Sequence, residues 1–185
     1  MNRNNIKIII VIALSILAYT SVDYAKNYNF KNFSIQDGLP DAIITSTIQT
    51  QDGYIYFTTL NGLSKFDGKN AINYSKIDGL PNQNIEYALE YQPNKLLLAT
   101  FGGLSIFNGD TFTNFSTKDG LANDTLYTLF KDKDRFLIGT KNGVSIFTKG
   151  KFLNSSEFDF FKGLTIHAFE YDESGLLIVG TNNGL

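Results

Sequence analysis

A chain with a single histidine, His167, and no cysteine has little with which to do covalent or metal chemistry. No thiolate can ligate zinc, and a nucleophilic triad would have to be built on that one imidazole. Three aspartates recur on a fixed spacing, Asp37, Asp78 and Asp119, each followed by Gly-Leu. A ring of carboxylates would suit calcium, but none has a local companion at calcium-ligand spacing. Asp before Gly is turn chemistry, and Asp52, Asp67 and Asn108 read the same way. Glu86, Glu90 and Glu170 hold the raw material of a glycosidase-like acid pair, yet nothing in the sequence sets two of them face to face. The residues point away from catalysis, from a metal and from any cofactor.

What must be positioned is a repeat. Asp37-Gly38-Leu39-Pro40 returns 41 residues later as Asp78-Gly79-Leu80-Pro81 and another 41 later as Asp119-Gly120-Leu121-Ala122. Asn61-Gly62-Leu63-Ser64-Lys65-Phe66 returns at 41 as Gly102 to Phe107 and then at 40 as Asn142 to Phe147. A period of about 40–45 residues marks propeller blades or helical arrays. No window carries a sustained helical period, and 16 Phe, 10 Tyr and 16 Gly with 3 Pro suit short strands and tight turns. Each unit reads as four strands. The second is a short continuous apolar run, such as Leu96-Leu97-Leu98-Ala99, which predicts burial on both faces. The predicted fold is all-β, a β-propeller of four-stranded blades. His167 aligns with Tyr127, Tyr87 and Ser46 of the other units, a position expected to hold a half-buried polar side chain.

The expected blades cover 37–76, 78–117, 119–159 and 162–185, the last holding two strands. Lys162-Gly163-Leu164 replaces Asp-Gly-Leu after a three-residue insertion. Residues 28–36 resemble the fourth-strand segments and predict the outer strand of a closing blade. The propeller is thus expected to be incomplete, with about three full blades, and the chain to be a fragment of a longer protein. Arg3 and Lys7 precede an apolar run from Ile8 to Tyr19, the length of a signal-peptide core. Residues 1–25 are expected to be a signal peptide or an uncleaved anchor, with 26–185 the exported propeller. The formal net charge of -2, without a basic stripe, argues against a nucleic-acid partner.

Asp-Gly-Leu-Pro, an apolar strand ending in Gly-Thr (Gly139-Thr140, Gly180-Thr181), then Gly-Leu and an aromatic before Asp-Gly (Asn61 to Gly68) resemble the two-component regulator propeller repeat. The likeness runs from Tyr28 to Leu185. The family commonly carries Trp in the second strand; here Tyr56, Leu97 and Leu137 occupy that region, and the chain has no Trp. The resemblance implies an extracytoplasmic, periplasmic sensor module, tethered to the membrane in the full-length protein and followed by a kinase or other signalling output. It also implies a carbohydrate or other small ligand and a dimer in the full-length protein.

In a four-stranded blade, the loop between blades and the loop between second and third strands lie at one end. That end collects Asp41, Asn61, Asn82, Phe101, Asn123, Lys141 and Asn142, with Leu60, Gln83, Asp124, Asn182 and Asn183 beside them. Amides around an aromatic ring would suit sugar hydroxyls and ring stacking, so these residues are the expected ligand-binding set. Three functions stay open: a ligand-sensing domain, a surface or secretion-associated scaffold acting by protein contact, and a propeller-based extracellular lyase or hydrolase.

Overall fold

Among the described residues, short alternating or apolar runs, broken every few residues by Gly, Asn or Asp, leave no element longer than a strand. In the computed structural model residues 32–185 are described. The expected signal segment, 1–25, and the start of the expected outer strand, 28–31, lie outside the described residues. Phe33–Leu185 form one unit. The first sheet orders β1 (Ile44–Gln49), β2 (Ile55–Thr59), β3 (Gly62–Phe66) and β4 (Ala71–Tyr74); the second β5 (Ile85–Gln92), β6 (Lys95–Thr100), β7 (Gly103–Phe107) and β8 (Phe112–Phe115). The third orders β9 (Leu126–Asp132), β10 (Arg135–Thr140), β11 (Gly143–Thr148) and β12 (Lys151–Leu153), and a two-stranded sheet pairs β13 (Ile166–Tyr171) with β14 (Leu177–Thr181). All pairings are antiparallel between neighbours in sequence, the meander of a propeller blade.

Burial follows the strand pattern. β6 and β10 are buried at every residue after the first, as continuous apolar runs require. Three core clusters lie between successive sheets. Tyr56 and Leu63 of the first sheet meet Ile85, Leu96 and Leu98 of the second; Leu97 and Leu104 of the second meet Leu126, Phe136 and Phe147 of the third. Leu137 and Ile146 of the third meet Ile166, Phe169 and Val179. Each fully buried leucine contributes about 1.5–3 kcal/mol. Among the described residues no core cluster joins the first sheet to the two-stranded one.

The second-to-third-strand turn is built from Thr and Gly. Thr100 Oγ1 donates to Gly103 O at 2.8 Å and accepts from Gly102 N–H at 3.0 Å, and Thr59, Thr140 and Thr181 make the same donation. Gly103 has φ 116, and a Cβ there would collide with the carbonyl oxygen of Phe115, so no other residue starts this strand. In the described part of the expected outer strand, Asn32 to Ser34 form no strand and Ile35–Asp37 is a 3-10 turn. Phe33 nevertheless meets Phe66 edge-on at 4.7 Å, as Tyr74 meets Phe107 at 4.8 Å.

Candidate functional site

The repeated aspartates are occupied, by a mechanism the Asp-Gly reading missed. Each is the third residue of a 3-10 turn whose cap is a serine three residues earlier. The Asp37 carboxylate accepts from Ser34 N–H (2.9 Å) and Oγ (3.0 Å), and Asp78 and Asp119 do the same for Ser75 and Ser116. This is a capping box, and Ser-x-x-Asp was its signature in the sequence.

Most of the expected ligand-binding amides also serve the loops. Asp41, Asn82 and Asn123 accept from the N–H two residues on, those of Ile43 (2.9 Å), Asn84 (3.0 Å) and Thr125 (2.9 Å). Asn61 Nδ2 donates to Pro40 O at 3.3 Å, and its Oδ1 accepts from Gln83 Nε2. Asn142 Oδ1 accepts from Gly163 N–H, and Asn182 Oδ1 from Thr165 N–H, bracing the loop that enters β13. Residues that recur from blade to blade are the ones the blade consumes.

Other positions at this end change from sheet to sheet. At the second-to-third-strand turn the four sheets carry Leu60, Phe101, Lys141 and Asn182 in turn. Each inner strand opens with a β-bulge, a register shift between Ile44 and Ser46, Ile85 and Tyr87, Ile166 and Ala168, and opposite Gly139 and Thr140 in the third sheet. The extra residue is Thr45, Glu86, Tyr127 and His167, one per sheet. This corrects the sequence alignment of His167: its counterparts are Tyr127, Glu86 and Thr45, not Tyr87 and Ser46. A bulge aims a side chain out of the ladder and is common beside functional sites. Two of these side chains form a rung with the loop residue: Phe101 lies 5.5 Å from Tyr127, and Tyr127 lies 5.1 Å from His167. Phe101 and Tyr127 are half-buried and His167 exposed, while Lys141, on the turn of the third sheet, is exposed and forms no salt bridge among the described residues.

The three glutamates are dispersed. Glu86 is half-buried on the bulge; Glu90 Oε1 accepts from Asn94 N–H (2.9 Å) at the other end of the sheet; Glu170 Oε1 accepts from Tyr171 N–H (3.0 Å). No three His, Cys, Asp or Glu among the described residues gather to hold a metal.

At that other end, beneath the third and fourth sheets, lies an open cavity of about 1030 Å³ that the sequence did not reveal. One wall is an ionic clamp. Arg135 donates from Nε to Asp132 (2.7 Å) and from both terminal nitrogens to Glu157 (2.6 and 2.7 Å), and Tyr171 Oη donates to Asp132 at 2.8 Å across the seam. Burial pushes the Asp132 pKa up, but the donors Arg135 and Tyr171 outweigh it and hold the carboxyl below its ordinary range. Arg135 likewise lowers Glu157, and the bond to Asp132 raises the Tyr171 phenol. The signal available beforehand was the break in pattern: six residues on from Ile85 stands Tyr91, and six on from Leu126 stands Asp132.

No family model matches the chain, and no curated protein matches it. Solved structures do. The chain is similar to the extracellular domain of a protein of B. thetaiotaomicron described as a hybrid two component system, with TM-score 0.71 and 20% identity over 81% of this chain and 23% of that one. It is similar to PorZ, a surface component of the type-IX secretion system of Porphyromonas gingivalis, with TM-score 0.56 and 15% identity over 75% of this chain and 19% of that one. It is also similar to the computationally designed Ika4 protein, with TM-score 0.57 and 10% identity over 77% of this chain and 88% of that one. The chain thus spans about a quarter or less of the first two proteins. At these identities the likeness concerns the fold: the sheets are propeller blades. Among the described residues no helix is long and apolar enough to cross a membrane.

Proposed function

We propose that the chain is an extracytoplasmic, periplasmic ligand-sensing propeller segment of a membrane-tethered two-component signalling protein, and that it works by binding, without catalysis, metal or cofactor. The observation that carries this reading is the bulge row. Every first strand of a sheet spends one residue on a bulge, and that residue differs from sheet to sheet: Thr45, which donates to Ile85 O, then Glu86, Tyr127 and His167. Phe101, Tyr127 and His167 offer ring faces and edges, so the ligand class that suits them has flat apolar faces and hydroxyl groups, as an oligosaccharide does. The likeness to an extracellular domain of a two-component protein supports the sensor role. An N-terminal export signal, a signalling output elsewhere in a longer protein and a dimer of that protein belong to the same proposal.

The test is a titration of the chain against a panel of neutral oligosaccharides, read by NMR shifts. Binding that perturbs Phe101, Tyr127 and His167 and weakens about tenfold or more in Tyr127→Ala supports the reading, since stacking on one aromatic is worth about 1–3 kcal/mol. Binding unchanged in both Tyr127→Ala and Phe101→Ala would place the ligand elsewhere. A second reading, a surface scaffold acting by protein contact, is favoured by the likeness to PorZ and by Leu60 and Ile43, exposed at the same end. It predicts no sugar binding and a protein partner that cross-links through that end.

A further inference from the structure

The third sheet departs from the first two at its outer edge. Ser64 pairs with Asn73 in the first sheet and Ser105 with Asn114 in the second. The asparagine amide then clasps the linker leading into its own sheet: Asn73 Nδ2 donates to Gly38 O and Asn114 Nδ2 to Gly79 O, both at 2.7 Å. In the third sheet β12 pairs with β11 as far as Ile146 and Leu153 and no further. Ser145 and Asn154, next in register, separate, and Ser145 Oγ accepts from Ala122 N–H at 2.8 Å instead. The inserted residues and the 3-10 turn Asp159–Phe161 follow. A pocket of about 400 Å³ opens where the clasp would have been.

We propose that this pocket is a binding site for a neutral, polyhydroxylated molecule of monosaccharide size. Its volume is within the range of about 300–1,000 Å³ typical of ligand sites. Val144, Phe152 and Phe158 supply apolar wall, while Asn154 and Ser145, which is 6% exposed, supply amide and hydroxyl groups that both donate and accept. The charges on the rim oppose one another, Asp119 and Asp159 against Lys162, and Lys162 Nζ already bridges to Asp159 at 2.9 Å. A strongly charged ligand would meet repulsion as well as attraction, and a wholly apolar one would leave without protein partners the Asn154 amide and the O–H donor of Ser145, whose oxygen already accepts from Ala122. Hydroxyl groups, each a donor and an acceptor, satisfy that wall without residue. The site belongs to the outer strands, apart from the bulge row on the inner ones.

The experiment is a ¹H–¹⁵N titration of the full chain with D-glucose, D-galactose and D-mannose in turn. The expected result is that at least one shifts the amides of Gly120, Ser145 and Asn154. Asn154→Ala should weaken that binding about tenfold, the loss of roughly two hydrogen bonds, while Asn114→Ala, its clasped counterpart, should leave it unchanged. Ser155→Trp, which plugs the rim with a bulky side chain, should abolish it and serves as the second variant if Asn154→Ala disturbs the loop. Shifts absent with all three sugars, or surviving both Asn154→Ala and Ser155→Trp, overturn the inference. Shifts confined to Phe101, Tyr127 and His167 overturn it too while upholding the proposed function; shifts confined to the pocket uphold it and count against the bulge-row site.

Discussion

The seam between the second and third sheets and the seam between the third and fourth join strands of the same plan with different forces. At the first, Leu97, Leu104, Leu126 and Phe147 are fully buried, and Tyr91 lies 5.5 Å from Phe136. At the second, the strand ends in Asp132, 2% exposed, held by Arg135 and reached by Tyr171 from the other side. A seam made of apolar surface answers to temperature and denaturant. A seam that includes an ionic clamp answers also to protons. The repeat keeps its backbone while the force at each joint is chosen separately.

The comparison breaks first at its apolar side. Leu104→Ala should lower the free energy of unfolding by about 3–5 kcal/mol, a full leucine-sized cavity in the better-filled seam. Urea unfolding reads this directly, and a loss below about 1 kcal/mol would mean that seam is not the dense one. Asp132→Asn should cost about 2–3 kcal/mol near neutral pH, because Arg135 and Tyr171 lose a charged acceptor. Its pH signature separates the seams. Asp132 and Glu157 both have depressed folded-state pKa values, so their stabilisation is complete above the ordinary carboxylate pKa of about 4 and is lost as the pH falls through the folded values. The unaltered chain should therefore lose stability in acid more steeply than Asp132→Asn, and Leu104→Ala should keep the unaltered slope. Parallel acid profiles for all three would remove the clamp from the account. At the outer edges the effect is smaller. Asn114→Ala should cost about 1 kcal/mol and Asn154→Ala less than about 0.5 kcal/mol, measured by thermal unfolding, because the first breaks a clasp and the second has none to break.

The period, the four-strand plan and the turns were legible because each is written several times over; Asp-Gly-Leu and Asn-Gly recur where the chain must turn. Repetition also misled. The capping boxes lay in plain view as Ser34 to Asp37 and its copies, yet the aspartate beside glycine invited a simpler turn. The bulge left no mark on the period because every inner strand carries it, so His167 slid one residue against Glu86 and Thr45. The expected binding set included recurring amides such as Asn82 and Asn123, which also bond their own loops, and did not include Tyr127 or His167, which the bulges set in a row with Phe101. Phe101 and Lys141, collected into that set by loop topology, stand at positions that change from sheet to sheet. The clamp joins Tyr171 to Asp132 across 39 residues and Arg135 to Glu157 across 22, so its pairing waits on the seam geometry.

Because every strand pairs with its neighbour in sequence, no ladder has to close a long loop before it is rewarded. The Thr–Gly turns are complete within four residues, as Thr100 and Gly103 show, and ask nothing of the next sheet. Such a chain has a natural assembly order. Its hairpins close the shortest loops, its sheets the next, and its seams the longest. Contact order stays low for an all-β protein, which favours fast pairing of each strand with the next.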